Sequence, residues 1–149
     1  MPLESKPAAE CKVLVVDDNV QNVELLEAYL QSAGYSVVKA FDGDEALAAV
    51  AKNDPDLILL DVLMPRVSGF EVCRKLKSEA ATKGIPIVMV TALNELHDIE
   101  KGVEAGTDDF LTKPINKLEL LARVKSLLRV RHLQSELDRT LSYLNELEK

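Results

Sequence analysis

The sequence predicts an α/β fold: a parallel sheet with helices on both faces. Three observations carry that prediction. Short apolar, β-branched runs alternate with segments of helical periodicity roughly every 20–25 residues. The runs are nearly continuous rather than alternating, as in strands covered on both sides. Polar residues with chemical potential stand directly after several runs, where a parallel sheet collects its functional groups.

Each element has a local reason. Residues 1–11 read as an unstructured tail, because MPLESKPAAE carries two prolines and no periodicity. KVLVV at 12–16 is a buried strand, ended by Asp17-Asp18-Asn19. Leu25, Leu26, Tyr29 and Leu30 recur at helical spacing, and Gly34 closes that helix. A second strand is expected at 35–39, then a turn at Asp42-Gly43 and a helix carrying Ala46, Leu47 and Val50. LILL at 57–60 is the third strand, followed by a helix over 70–79. The fourth strand spans 87–90, and its helix, about 96–104, stops near Gly106. A short fifth strand begins at 109–111. The last helix starts near Asn116, with Leu118, Leu121, Val124 and Leu128 on one stripe.

Composition removes several classes of function. The 149 residues suit one domain, with 47% apolar and 29% charged residues. A net charge of −7 argues against direct nucleic-acid binding, which rests on basic side chains facing phosphates. No apolar run approaches the ~20 residues of a membrane helix. The first ten residues lack the apolar segment of a secretory signal, so a cytoplasmic chain is expected. Cys11 and Cys73 form no disulfide framework, and two Cys with two scattered His make no zinc site. Cys73 falls among apolar helical positions and reads as buried; His97 and His132 read as surface residues.

Four places at predicted strand ends stand out: Asp17-Asp18, Asp61, Thr91 and Lys113. One parallel sheet with a suitable strand order would bring them together. Three carboxylates together repel one another, which a divalent cation relieves, and an all-oxygen donor set suits Mg²⁺. Lys113 supplies a positive charge and Thr91 a hydroxyl, both suited to phosphoryl oxygens. A carboxylate nucleophile, a Mg²⁺ holder, a lysine and a hydroxyl fit phosphoryl transfer onto an aspartate. Taken singly, each residue reads more simply as plain surface polarity, and Lys113-Pro114 as an ordinary helix start; their joint placement at four strand ends weighs against that.

The chain resembles the receiver domain of bacterial two-component response regulators. The resemblance rests on VLVVDDN (13–19), LILLDVLMPRVSGFEV (57–72), IVMVTA (87–92) and AGTDDFLTKPI (105–115), and runs over 12–128. It implies a flavodoxin-like five-stranded sheet of order 2-1-3-4-5. It further implies that Asp61 accepts a phosphoryl group from a phosphohistidine of a sensor histidine kinase or phosphotransfer protein. Asp18, Asp61 and the Leu63 carbonyl would bind Mg²⁺ directly, and Asp17 through water. Lys113 would pair with Asp61 or its phosphate, Thr91 would be the switching hydroxyl and Phe110 the switch aromatic. On the same basis the chain catalyses its own phosphorylation and slow dephosphorylation, and Lys113-Pro114 is a cis peptide. Leu63 and Leu93 stand where the family controls water access, so they would either shield the acyl phosphate or line a partner patch. Gly69 relieves a steric constraint at the start of its helix.

Residues 129–149 exceed a minimal receiver. Val130, Leu137 and Leu144 are spaced by seven, with Leu133, Thr140 and Leu147 three residues after each. Leu141 broadens this face. The expectation is a parallel homodimer with Val130, Leu133, Leu137, Leu144 and Leu147 as its seam, leading toward an output domain. The alternative is that the segment folds back on its own domain. Two other functional classes compete. A degenerate receiver would act as an unphosphorylated protein-binding module, and acyl-phosphate formation separates it. A Mg²⁺-dependent phosphohydrolase with an aspartyl nucleophile would turn over free phosphomonoesters, but Asp-Val-Leu at 61–63 lacks the DxD pair such enzymes need. No Walker or dinucleotide glycine motif occurs.

Overall fold

A computed structural model describes residues 7–92 and 96–148, with backbone alone at Leu96 and His97. Expectations for residues 1–6, Leu93 and the His97 side chain fall outside the described residues. Five strands and five helices alternate: β1 (Lys12–Val16), α1 (Val20–Ser32), β2 (Ser36–Ala40), α2 (Gly43–Asn53), β3 (Leu57–Asp61), α3 (Gly69–Ser78), β4 (Ile87–Thr91), α4 (Leu96–Ala105), β5 (Asp109–Thr112) and α5 (Lys117–Leu147). The strands form one parallel sheet in the order β2-β1-β3-β4-β5.

The continuous apolar strands split by parity into two cores. Leu14, Val16, Ile58 and Leu60 face Ala46, Val50, Val72 and Leu76 of α2 and α3. Their neighbours Val13, Val15, Leu57 and Leu59 face Val23, Leu26 and Leu30 of α1 and Leu120, Val124 and Leu128 of α5. A two-residue side-chain period makes both sets fully apolar when both faces are covered.

Helix starts are set by side-chain caps. Asn19, Asp42, Ser68 and Asn116 each accept a hydrogen bond from the backbone N–H three residues on. In three of the four that third residue is Glu, which also suits the positive end of a helix. Gly34 and Gly106 leave α1 and α4 with φ of 92° and 94°, where a β-carbon is strained.

The structure corrects several expectations. The end of the tail is ordered: Ala8–Glu10 form a 3₁₀ turn and Cys11 is buried. The Cys11 carbonyl accepts from the Ser36 N–H at 3.0 Å, which ties this segment to β2. That strand starts one residue later than expected, because Ser36 pairs with Lys12. The buried stripe of α5 is Leu120, Val124 and Leu128; Leu118 lies in solvent. His132 is half-buried rather than on the open surface, beside a cavity it shares with Cys11, Asp56 and Arg131. Cys73 is buried as expected, its thiol pushed up to about 11 by burial.

Candidate phosphoryl-acceptor site

Register brings the site together. Val16 pairs with Leu60, so the residues that follow, Asp17 and Asp61, lie level on neighbouring strands. Asp61 in turn pairs with Val90, one residue before Thr91. Thr91 pairs with Thr112, one residue before Lys113. Four residues separated by up to 96 positions thus meet at one edge of the sheet. The strand order reverses between β1 and β3, and a crevice forms at such a point.

Asp17, Asp61 and Thr91 are the buried polar side chains among the described residues. Carboxylate oxygens of Asp17, Asp18 and Asp61 all lie within 4.8 Å of one another, with Asp18 exposed at the mouth. Lys113 Nζ bridges the two buried acids, donating to Asp17 Oδ2 at 3.1 Å and Asp61 Oδ1 at 3.3 Å. Its own backbone N–H donates to the Thr91 carbonyl at 2.8 Å, and Lys113-Pro114 is cis, as the resemblance implies. Asp17 is further held by the Asn19 backbone N–H at 2.9 Å and by Asn22 Nδ2 at 3.3 Å.

Electrostatics leave this pocket short of positive charge. Burial, then the negative charge of Asp17, pushes Asp61 up to about 6, although Lys113 works against both. For Lys113, burial pulls the value down, but its bond to Asp17 and the charges of Asp61 and Asp17 outweigh that, and its pKa rises. Three carboxylates and one ammonium sum to −2 when all are ionised. The donors are hard oxygens, so the site fits a small divalent cation such as Mg²⁺ by charge and by ligand type.

The surroundings shape access. A β-carbon on Gly69 would overlap the carbonyl oxygen of Asp61, so the loop after Asp61 returns only because this residue is glycine. The Leu63 side chain is 61% exposed and points to solvent, whereas Met64 beside it is buried. Phe110 stands apart from the carboxylates. Its half-buried ring lies against Gly102 of α4, where a β-carbon would collide with it. Two contacts escaped the sequence reading. Asn22 sits on α1, one turn from Asp17, with nothing in its spacing to separate it from surface polarity. Gly102 looks like an ordinary helical glycine until the ring against it is seen.

Comparisons with known proteins agree with this geometry. Residues 13–125 match the response regulator receiver domain family. The chain is 52% identical over 126 residues to the response regulator PleD of Caulobacter vibrioides, covering 85% of this chain and 28% of PleD. It spans about half the length of other curated relatives it matches. Among solved structures, the Vibrio cholerae chemotaxis protein CheY4 is 36% identical with a TM-score of 0.75, covering 78% of this chain and 98% of CheY4. A two-component response regulator from Clostridium difficile is 33% identical with a TM-score of 0.76, covering 80% of this chain and 97% of that one. With the strand order, the acidic cluster and the matched residues in agreement, the chain belongs to the response regulator receiver domain family.

Proposed function

We propose that this chain is a phosphorylation-dependent signalling switch with Asp61 as phosphoryl acceptor. The observation that carries the reading is a buried carboxylate at a strand end, flanked by two acids and bonded by a lysine. An Asp61 oxygen attacks the phosphorus of a phosphohistidine on a sensor histidine kinase or phosphotransfer protein. The P–O bond forms as the P–N bond breaks, and the imidazole leaves with the electron pair. Asp18, Asp61 and the Leu63 carbonyl would hold Mg²⁺, with Asp17 acting through water. The cation would supply charge neutralisation that Lys113 alone does not complete.

The chain's own groups do the rest. Lys113 moves from pairing two carboxylates to pairing a phosphate oxygen. Thr91 turns its hydroxyl to another, and Phe110 follows into the space released. This biases an equilibrium between two arrangements. Beside Asp17 and Lys113 lies a cavity of about 480 Å³ whose walls include Leu25, Tyr29, Pro114 and Ile115. We assign it to the docking of the phosphodonor, which must place its phosphoryl group over the same opening. α5 carries the change away, toward a homodimer partner and an output domain, in the cytoplasm.

The test uses acetyl phosphate with Mg²⁺. Intact mass should show one added phosphoryl group on the wild type and none on D61N, while T91A should be labelled without the full spectral change. Equal labelling of D61N would overturn the assignment. Steady release of phosphate from a free phosphomonoester would favour the hydrolase, and an unlabelled wild type the degenerate receiver.

A further inference from the structure

α5 is one uninterrupted helix from Lys117 to Leu147, without proline or glycine. Its 31 residues reach about 46 Å at 1.5 Å each. The first half is anchored through buried Leu120, Val124 and Leu128. Arg131 Nη1 still reaches the body, donating to the Pro55 carbonyl at 2.9 Å. Along the outer half, Val130, Leu133, Leu137, Leu141, Leu144 and Leu147 are 41–63% exposed.

These two apolar sets do not share a face. At 100° per residue, the exposed stripe is rotated by roughly 150° from the anchored one. On the stripe's own line, the first half carries Glu119, Arg123 and Ser126 instead. The helix therefore changes its apolar side near Leu128. A straight helix held by Leu120–Leu128 turns its outer stripe away from its own core, which removes the fold-back alternative.

We propose that this stripe is covered by the same helix of a second copy, parallel and in register. Val130, Leu133, Leu137, Leu144 and Leu147 form the seam; this does not depend on the phosphoryl reading. Two observations select that occupant. The stripe carries six apolar side chains about half exposed, and two such stripes bury at most about 1,000 Å² together, the floor for a specific interface. Residues 129–149 hold four basic and four acidic side chains, so the segment is neutral while the remainder carries the full −7. Two outer helices meet without repulsion, and a straight stripe is self-complementary about a two-fold axis. Thr140 takes a seam position, its hydroxyl already donated to the Glu136 carbonyl at 3.0 Å. Its methyl group is thereby left to the partner, with less apolar area than a leucine offers.

Sedimentation over a wide concentration range, on the full chain, tests the pairing. The wild type should dimerise. L137Q should weaken association by at least about tenfold, and T140L should strengthen it about tenfold. Both variants should accept a phosphoryl group as the wild type does, which separates loss of the seam from loss of the site. L144C should form a disulfide with itself under mild oxidation, since Cys11 and Cys73 are buried. A monomer at every concentration, or L137Q associating like the wild type, would overturn the seam. An L144C that joins L133C but never itself would overturn the parallel register.

Discussion

The pocket at the carboxyl edge of the sheet and the outer half of α5 depart from ordinary protein surfaces in opposite directions. The pocket buries charge: Asp17 and Asp61 are almost inaccessible, yet one lysine serves both. The outer helix exposes hydrocarbon: its leucines stand in solvent along a stripe its own core cannot reach. A folded chain gains nothing from either. On the reading proposed above, each would be relieved by something from outside, a cation and a phosphoryl group in one case and a second helix in the other. The lesson is that the regions that do not serve the fold are the ones to read for function.

The comparison breaks most sharply at Gly69. G69A places a methyl group against the Asp61 carbonyl, and the backbone there has no room. We expect a loss of about 3 kcal/mol in urea denaturation, as for severe overpacking. A neutral result would mean that the loop is not locked to the end of β3.

Next comes the lysine. K113M leaves two buried carboxylates without their cation and should cost about 1–3 kcal/mol at neutral pH. Most of that should return on adding Mg²⁺. Unchanged stability would show that the ion pairs contribute nothing measurable.

D61N tests the charge itself. Asp61 rises from 3.8 to about 6 in the folded chain, so the folded state holds its proton more tightly than the unfolded one. The contribution of Asp61 to stability is therefore fully present below about pH 4, is lost as pH climbs from about 4 to 6, and stays absent above. In metal-free buffer at pH 7, D61N should exceed the wild type by about 1–2 kcal/mol, an allowance that includes solvent screening. The gain should vanish below about pH 4. A pH-independent difference would contradict the burial of charge.

The outer helix supplies the smallest effect on stability. In dilute solution L137Q should change the unfolding free energy of the monomer by no more than about 0.5 kcal/mol, because the side chain it replaces touches water. A large loss there would mean that the stripe packs within its own chain.

How much of this was legible in the sequence differs between the two regions for a physical reason. The strands were readable because both faces are covered, so KVLVV, LILL and IVMV declare themselves without a helix-like pattern. The acids and Lys113 were readable because polar residues after such runs have few places to go. Convergence at one pocket needed the strand order, which the apolar runs do not encode; it came from the family resemblance. The stripe on α5 was readable by its seven-residue spacing, but its direction was not. That depended on which side of the helix meets the sheet, and the sequence favoured Leu118 and Leu121 where the structure buries Leu120. Cys11 looked like tail because one residue before a strand carries no periodicity, although its side chain is buried in the core and its carbonyl accepts from Ser36 of β2.

The central claim is that the negative pocket holds a phosphoryl acceptor at Asp61. The most direct measurement is chemical trapping. The chain is treated with acetyl phosphate and Mg²⁺, reduced with borohydride and digested, and its peptides are mapped by mass. The account predicts a single reduced residue, homoserine at position 61, absent without Mg²⁺. Homoserine at position 17 or 18 with Asp61 intact, or labelling that persists undiminished without Mg²⁺, would contradict it.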